Sequence, residues 1–508
     1  MNVLLVNGNV TRCARSGYGP TPAPAGLVSL AGVLRRNGHS VWITQAASHV
    51  LPQDEESLPA LRRELEAILA RFSPDLIGIS ARNIGAARRP ANPLNLLQYH
   101  SVFYDARLVR AFRMLTTAAV VMGGPAFSIE PRLYTKHAAP DFGLIGEAEE
   151  SLLDLVEALE EGREPCGTKG LVEHPFERSA DAVCCNQVGD LSFLGVGACD
   201  TTADFRSQYY EDGGFAPIQT KRGCAMNCIY CTTPWLEGNR YRFRPMNQVL
   251  EEMKRYQETW DVKHFFFVDS TFNHPPGHAM EVCDAILEAG LQVQWFAEVT
   301  PSTMDDKMAH AMKTAGCMGV TLTPDSCSEQ VLKAYEKGFA VAEVANAVAV
   351  LKRHSIPFDT CLIVGGPGET RDTLAESIAF CSEHLANDVV RFCDGMVVTA
   401  RSKAYDIAVS EGLIDPSVSY EELVSRNDFR GLKSYQYYFP HIKEGRSELL
   451  QWAQRVCAGK RWLLTSKDYI PDPQTGELAL RPEVHTVPGA RPWWRDLVRS
   501  GALKKAAS

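Results

Sequence analysis

Two successive series of alternating strand-like and helix-like segments constrain the fold of this chain more than any other feature. In about the first 160 residues, apolar runs at Asn2–Val6, Val41–Thr44, Leu76–Ser80, Ala119–Met122 and Phe142–Ile145 have the spacing of βαβ units. Continuous apolar runs of this length suit parallel strands covered on both faces. Between them lie amphipathic stretches such as Leu27–Arg36 and Leu58–Phe72. The second ends at Ser73-Pro74, where the proline ring disfavours helix in the residue before it. Five strands with intervening helices predict a doubly wound domain over residues 1–161, with ligands beyond the carboxyl ends of the strands. The loops at those ends carry Asn7-Gly8-Asn9, the segment from Ser80 to Gly85, Gly123-Gly124-Pro125 and Gly146-Glu147.

Residues 162–215 lose this periodicity and read as a connector. The second series then begins, with strands expected at Pro217–Lys221, His264–Val268, Val293–Val299, Gly319–Thr323, Phe358–Val364 and Val389–Val398. Helical patterns at Met246–Tyr256, Gly277–Ala289, Asp305–Ala315, Val341–His354 and Thr373–Leu385 separate them. Six strands fall short of the eight of a closed barrel, so residues 216–400 are expected to form a partial (β/α)6 barrel with its site at the strand carboxyl ends. The fold class is α/β. Residues 401–508 form a mixed, mainly helical C-terminal segment, read as a substrate lid. An aromatic run there (Tyr435, Tyr437, Tyr438, Phe439) is a candidate pocket lining, and Trp493-Trp494 a candidate docking patch.

The 52 basic and 61 acidic side chains leave a formal charge of -9, which gives no electrostatic reason for a nucleic-acid partner. No apolar run reaches the ~20 residues of a membrane span, and MNVLLVNGN lacks the marks of a secretory signal. A reducing cytoplasm is the expected location. There, cysteines in a long chain serve metal or catalytic roles more often than disulfides. Cys283, Cys317, Cys361, Cys381 and Cys393 fall in apolar-periodic stretches and are expected to pack as small hydrophobes. Cys184-Cys185 lies in the connector and receives no role. Three others differ.

Directly after the first strand of the second series comes Lys221-Arg222-Gly223-Cys224-Ala225-Met226-Asn227-Cys228-Ile229-Tyr230-Cys231. Structural zinc takes four protein ligands, and electron-carrying iron–sulfur clusters normally take four cysteines. No fourth Cys or His is near in sequence; His264, the closest that follows, opens a strand. Three thiolates on a four-iron cube would leave one iron open to chelate a small molecule.

The pattern Cys-x-x-x-Cys-x-aromatic-Cys after the first strand of a partial barrel resembles the radical S-adenosylmethionine (SAM) superfamily. The resemblance implies a [4Fe–4S] cluster on Cys224, Cys228 and Cys231, with SAM on the open iron. An electron from a donor such as flavodoxin or ferredoxin would cleave the sulfonium to a 5′-deoxyadenosyl radical. Tyr230 matches the family position near the adenine. Gly365 and Gly366, in Cys361-Leu362-Ile363-Val364-Gly365-Gly366-Pro367-Gly368-Glu369-Thr370, resemble the glycine-rich fifth-strand motif, although an ordinary strand-to-helix turn would need glycines too. Asp325 and Ser326 match a fourth-strand segment that contacts SAM. Val268-Asp269-Ser270-Thr271 departs from the superfamily's Gly-Gly-Glu pattern, so the group that receives the amino end of SAM is not assigned.

The first domain lacks Gly-x-Gly-x-x-Gly after its first strand, which disfavours a dinucleotide. It is similar instead to the cobalamin-binding half of one radical SAM class, through Pro24-Ala25-Gly26-Leu27 to Asn37-Gly38-His39, Asp75-Leu76-Ile77-Gly78-Ile79-Ser80, Val121-Met122-Gly123-Gly124-Pro125 and Gly146-Glu147-Ala148-Glu149. The Asp-x-His-x-x-Gly motif of other cobalamin proteins is absent, and His39 is expected in a surface turn. By this resemblance Asn7, Ser80, Arg82, Asn83, Gly123, Gly124, Gly146 and Glu147 would line a cobalamin site, with Arg82-Asn83 below the corrin. Together the halves imply a methyltransferase acting on an unactivated carbon, sp3 in the first instance, of a small-molecule or natural-product precursor. Cyclisation or rearrangement with the same cofactors, a radical enzyme without cobalamin and a non-catalytic iron–sulfur electron-transfer module are the alternatives.

Overall fold

The computed structural model describes residues 1–8, 23–45, 58–82, 101–165, 167–173, 185–196 and 215–418, with short pieces at 436–437, 452, 455–456, 462–464, 469–471 and 478–480. All five strands expected of the first series form: β1 (Asn2–Asn7), β2 (Ser40–Gln45), β3 (Leu76–Ser80), β4 (Ala119–Gly123) and β5 (Phe142–Leu144). They pair in parallel in the order β2-β1-β3-β4-β5, and the connector adds a sixth, antiparallel strand, β6 (Leu171–Glu173). Strand alternation divides the sheet's two faces. Val3 and Leu5 pack on the side of α1 (Ala25–Arg36), and Leu4 and Val6 on the side of α2 (Leu58–Arg71) and α3 (Ser101–Leu115). The parallel register sets Asn7 level with Ser80, and Ser80 level with Gly123. The strand-end loops singled out in the sequence therefore share one edge. Two short helices follow β4, α4 (Pro125–Ile129) and α5 (Pro131–Ala138), and α6 (Glu149–Glu161) follows β5.

The first strand expected of the second series breaks in two, β7 (Ala216–Ile218) and β8 (Lys221–Arg222). β8 pairs antiparallel with β9 (Arg242–Phe243), so the ends of the cysteine loop and its short helix α7 (Thr233–Leu236) are pinned together. The main sheet continues through β10 (His264–Phe267), β11 (Gln294–Val299), β12 (Cys317–Asp325), β13 (Phe358–Val364) and β14 (Val389–Asp394), in sequential parallel order from β7. Helices α8 (Met246–Trp260), α9 (Pro276–Glu288), α10 (Asp306–Thr314), α11 (Glu329–Ala334), α12 (Val341–Arg353) and α13 (Arg371–His384) lie along it, and α14 (Lys403–Ser410) follows. Their starts obey local chemistry: the Asp305 carboxylate accepts from the Met308 N–H at 2.7 Å to cap α10, and Thr370 Oγ1 caps α13.

β15 (Met396–Val397), at the end of the barrel region, pairs antiparallel with β16 (Gln436–Tyr437) of the C-terminal segment, which also contributes β17 (Trp462–Leu464). β17 extends the six expected strands to seven, parallel to β14, and its Trp462 indole N–H donates to the Leu385 carbonyl at 3.2 Å. Among the described residues no helix is long and apolar enough to cross a membrane. Tyr435, Tyr438, Phe439, Trp493 and Trp494 lie outside the described residues.

Candidate active site at the meeting of the two sheets

Gly223 turns the chain from β8 into the cysteine loop with φ +88°, and a Cβ there would collide with the Arg240 carbonyl. Beyond it, the Ile229 N–H donates to the Tyr335 carbonyl at 3.2 Å, and Ile229 packs with Val331, Tyr335 and Met396. The loop is thereby fixed to the carboxyl ends of the sheet. Cys224 is buried, and Cys228 and Cys231 are half-buried. Burial raises the Cys228 thiol, with Lys337 acting in the opposite direction, and burial also raises Cys231 against hydrogen bonds from Thr233. Cys231 lies within electrostatic range of both Cys224 and Cys228. Yet among the described residues no three His, Cys, Asp or Glu side chains close around a single ion. A tetrahedral ion with bonds of ~2.3 Å would draw its sulfurs to within about 4 Å of one another. Three soft thiolates on one short loop are a donor set that could each take a different iron of a cube.

Of the expected SAM contacts, Tyr230 and Asp325 come together. The Tyr230 hydroxyl donates to Asp325, and both meet the Lys337 ammonium, 2.5 Å from Asp325 Oδ2 and 3.0 Å from Tyr230 Oη. Lys337 was not singled out in the sequence. Ser326 turns the other way, into a buried hydroxyl pair with Ser377 at 3.3 Å. Gly366 has no room for a Cβ because the Tyr335 ring lies against it. The Gly365 N–H donates to the Glu369 carboxyl, whose pKa burial pushes up to about 8. This motif thus builds a tight turn. Asp269 is also committed, to the Lys221 ammonium at 3.0 Å and the Thr220 N–H at 2.7 Å, and Ser270 Oγ donates to the Gly223 carbonyl at 3.0 Å. These residues brace the cysteine loop.

The cysteines at 361 and 393 depart from the packing role expected of them. They are half-buried on neighbouring strands, with Sγ atoms 3.2 Å apart, whereas Cys283, Cys317 and Cys381 are buried as expected. The alternation of β13 and β14 sets them on the inner side of the curved sheet. His39 also differs: it is buried, with Nδ1 3.2 Å from the Met1 amino group, at the opposite end of the sheet from Ser80.

At the first sheet, Asn7, Ser80, Arg82, Gly123, Gly124, Gly146 and Glu147 all line one cleft; Asn83 is outside the described residues. The cleft is open to solvent and holds about 390 Å³, within the ~300–1,000 Å³ of small-molecule pockets, and its other wall belongs to the second sheet, with Gln219, Arg222, Leu236, Phe266 and Val268. Its apolar surfaces (Leu5, Leu27, Leu30, Val121, Leu144) suit the flat body of a macrocycle laid across the strand ends. Two arginines hold the walls together. Arg222 Nη2 is 2.6 Å from Glu149 Oε1, and Arg242 Nη2 is 2.6 Å from Glu147 Oε1. Burial alone would raise the Glu149 carboxyl, but the Arg222 charge and hydrogen bonds win and lower it.

The comparisons agree with this geometry. Residues 218–381 match the family model of the radical SAM superfamily, and residues 13–156 that of the B12 binding domain. An uncharacterised methyltransferase of Pyrococcus horikoshii is 28% identical over 388 residues, covering 75% of this chain and 78% of that protein. Tryptophan 2-C-methyltransferase of Streptomyces laurentii is 23% identical over 435 residues, covering 74% and 70%. Among solved structures, the radical SAM methyltransferase TsrM of Kitasatospora setae superposes with a TM-score of 0.68 at 25% identity, covering 80% of this chain and 76% of that one. The cobalamin-dependent radical enzyme OxsB shares the fold, with a TM-score of 0.59 at 16% identity, covering 94% and 64%. The chain thus joins a radical SAM domain to a B12 binding domain and is similar to cobalamin-dependent radical SAM methyltransferases. It is an enzyme whose cofactors are a [4Fe–4S] cluster, SAM and cobalamin.

Proposed function

We propose that this enzyme transfers a methyl group to an unactivated carbon, sp3 in the first instance, of a small natural-product precursor held between its two sheets. The observation that carries this reading is the single cleft bounded by the strand ends of the first sheet and by Phe266 and Val268 of the second. When bound, the three cofactors supply one-electron cleavage of a sulfonium and a transferable methyl group.

In this reading the chain divides into a cobalamin domain (1–161), a connector (162–215), a partial barrel (216–400) and a C-terminal lid segment (401–508). Cys224, Cys228 and Cys231 hold the cluster. Tyr230 and Asp325, with Lys337, face the nucleoside side of SAM, and backbone at Gly365 and Gly366 borders it; Ser326 supports Asp325 from behind. Asn7, Ser80, Arg82, Asn83, Gly123, Gly124 and Gly146 surround the corrin, while Glu147 keeps the walls together through Arg242. With cofactors and substrate filling it, the cleft would exclude water, which would otherwise quench reactive species. A small acidic electron carrier of the flavodoxin or ferredoxin class feeds the cluster in the cytoplasm.

The test is anaerobic incubation of the reconstituted enzyme with reductant, trideuteromethyl-labelled SAM and small-molecule extracts of the source cells. Labelled methyl in a product, together with S-adenosylhomocysteine, supports the proposal. A product that gains no label, as in cyclisation, contradicts it.

A further inference from the structure

The inner side of the second sheet holds an acidic group that nothing above uses. On β11, Trp295, Ala297 and Val299 face the helices in the main core. Successive strand residues alternate, so Phe296 and Glu298 point to the inner side. Phe296 joins Phe215, Met318 and the half-buried Phe266 in a separate cluster, with Phe215 and Phe296 ring centroids 4.9 Å apart. This cluster closes the bottom of the lumen, and Phe266 is also part of the cleft wall. Glu298 stands one level above it. Its side chain is reached by water, yet enclosure by protein raises its carboxyl pKa; Arg391 opposes that shift and Asp359 and Asp325 add to it. It therefore faces the same space as residues on β12, β13 and β14.

The charges around that space do not balance. Asp325 is held by Lys337 at 2.5 Å, and Asp359 by Arg391 at 2.6 Å and the Thr321 hydroxyl at 2.7 Å. Three carboxylates thus face two cations, and among the described residues the Glu298 carboxylate has neither a hydrogen bond nor an ion pair of its own. An unmatched carboxylate enclosed by protein is stabilised when a cation enters.

We propose that Glu298 anchors a cationic nitrogen of the substrate, so that the substrate is an amine on an apolar body. The ammonium lies on Glu298 and the apolar part lies against Phe266. The two levels are about 6.5 Å apart, two residues of strand, a gap that an arylethylamine, with its nitrogen about 5 Å from the ring centre, bridges when the Glu298 side chain reaches toward it. This inference rests on the proposed methyl transfer, extends its substrate site from the cleft past Phe266 into the lumen, and identifies the class of molecule methylated there. A charge-assisted hydrogen bond of this kind changes affinity roughly ten- to hundredfold.

The test uses the full-length enzyme loaded with cluster and cobalamin, and two probes of the same shape, phenethylamine and phenethyl alcohol. Calorimetric titration should show the amine bound at least about tenfold more tightly than the alcohol. Glu298→Gln should abolish that preference while leaving cobalamin and SAM binding unchanged. Equal binding of the two probes by the wild type, no binding of the amine, or an unchanged preference in Glu298→Gln would overturn the proposal. If the variant fails to fold, the wild-type preference decides. Label transfer to a product without a basic nitrogen would remove the anchor and leave methylation standing. An amine preference without any label transfer would keep the anchor and remove methylation.

Discussion

Three cysteines within eight positions point to a cluster site from sequence because a loop fixed at a strand end brings near neighbours together whatever the rest of the chain does. Cys228 tests that assignment most simply. Replacing it with Ala should lower cluster iron and SAM cleavage at least about tenfold while the far-ultraviolet dichroism stays unchanged. Retained cluster with full activity would contradict the assignment. Residues that depend on distant partners were not readable in this way. Lys337 lies 107 positions from Tyr230, and only the closure of β12 over the cysteine loop makes them neighbours. Ser326, adjacent to Asp325, points into the packing because the chain leaves β12 at Asp325 in the left-handed region, with φ +65°, and turns there. Cys361 and Cys393 show the same limit: alternation says that they share a face, but not that this face borders a lumen.

At the level of strands and helices, long apolar runs were legible and short ones were not. β1 to β5 and β10 to β14 carry enough periodicity to stand out, whereas β6 and β17 have three residues each and exist through the edges they pair with. The charged pairing between the two sheets was equally silent, since Glu147 and Glu149 read as part of the cobalamin-side loop and Arg222 as a flank of the cysteines. Arg222 and Glu149 are 6% and 4% exposed, so removing one partner leaves a buried charge uncompensated. Arg222→Met should therefore cost about 3–5 kcal/mol in urea unfolding; a loss below 1 kcal/mol would mean that the pair is not buried in solution. The pair also predicts acid sensitivity. The folded pKa of Glu149 is depressed, so its contribution is present above its ordinary value of 4.5 and is lost as pH falls through the lower folded value. Melting temperature should decline through that window in the wild type and less steeply in Glu149→Gln.

For the whole molecule, what matters is that two sheets built from separate stretches of chain turn their carboxyl edges toward one another. Each edge alone is the usual ligand side of its fold. Facing across one cleft, with Arg222 and Arg242 clamping the walls, they would set the proposed cobalamin site against the mouth of the barrel that carries the proposed cluster cysteines. Electron paramagnetic resonance of the enzyme loaded with both cofactors, with the cluster reduced and cobalt in its divalent state, measures that arrangement directly. The two unpaired spins should couple, splitting or broadening both signals and speeding the relaxation of the cobalt. Two unperturbed signals, each at full intensity, would contradict a shared cleft.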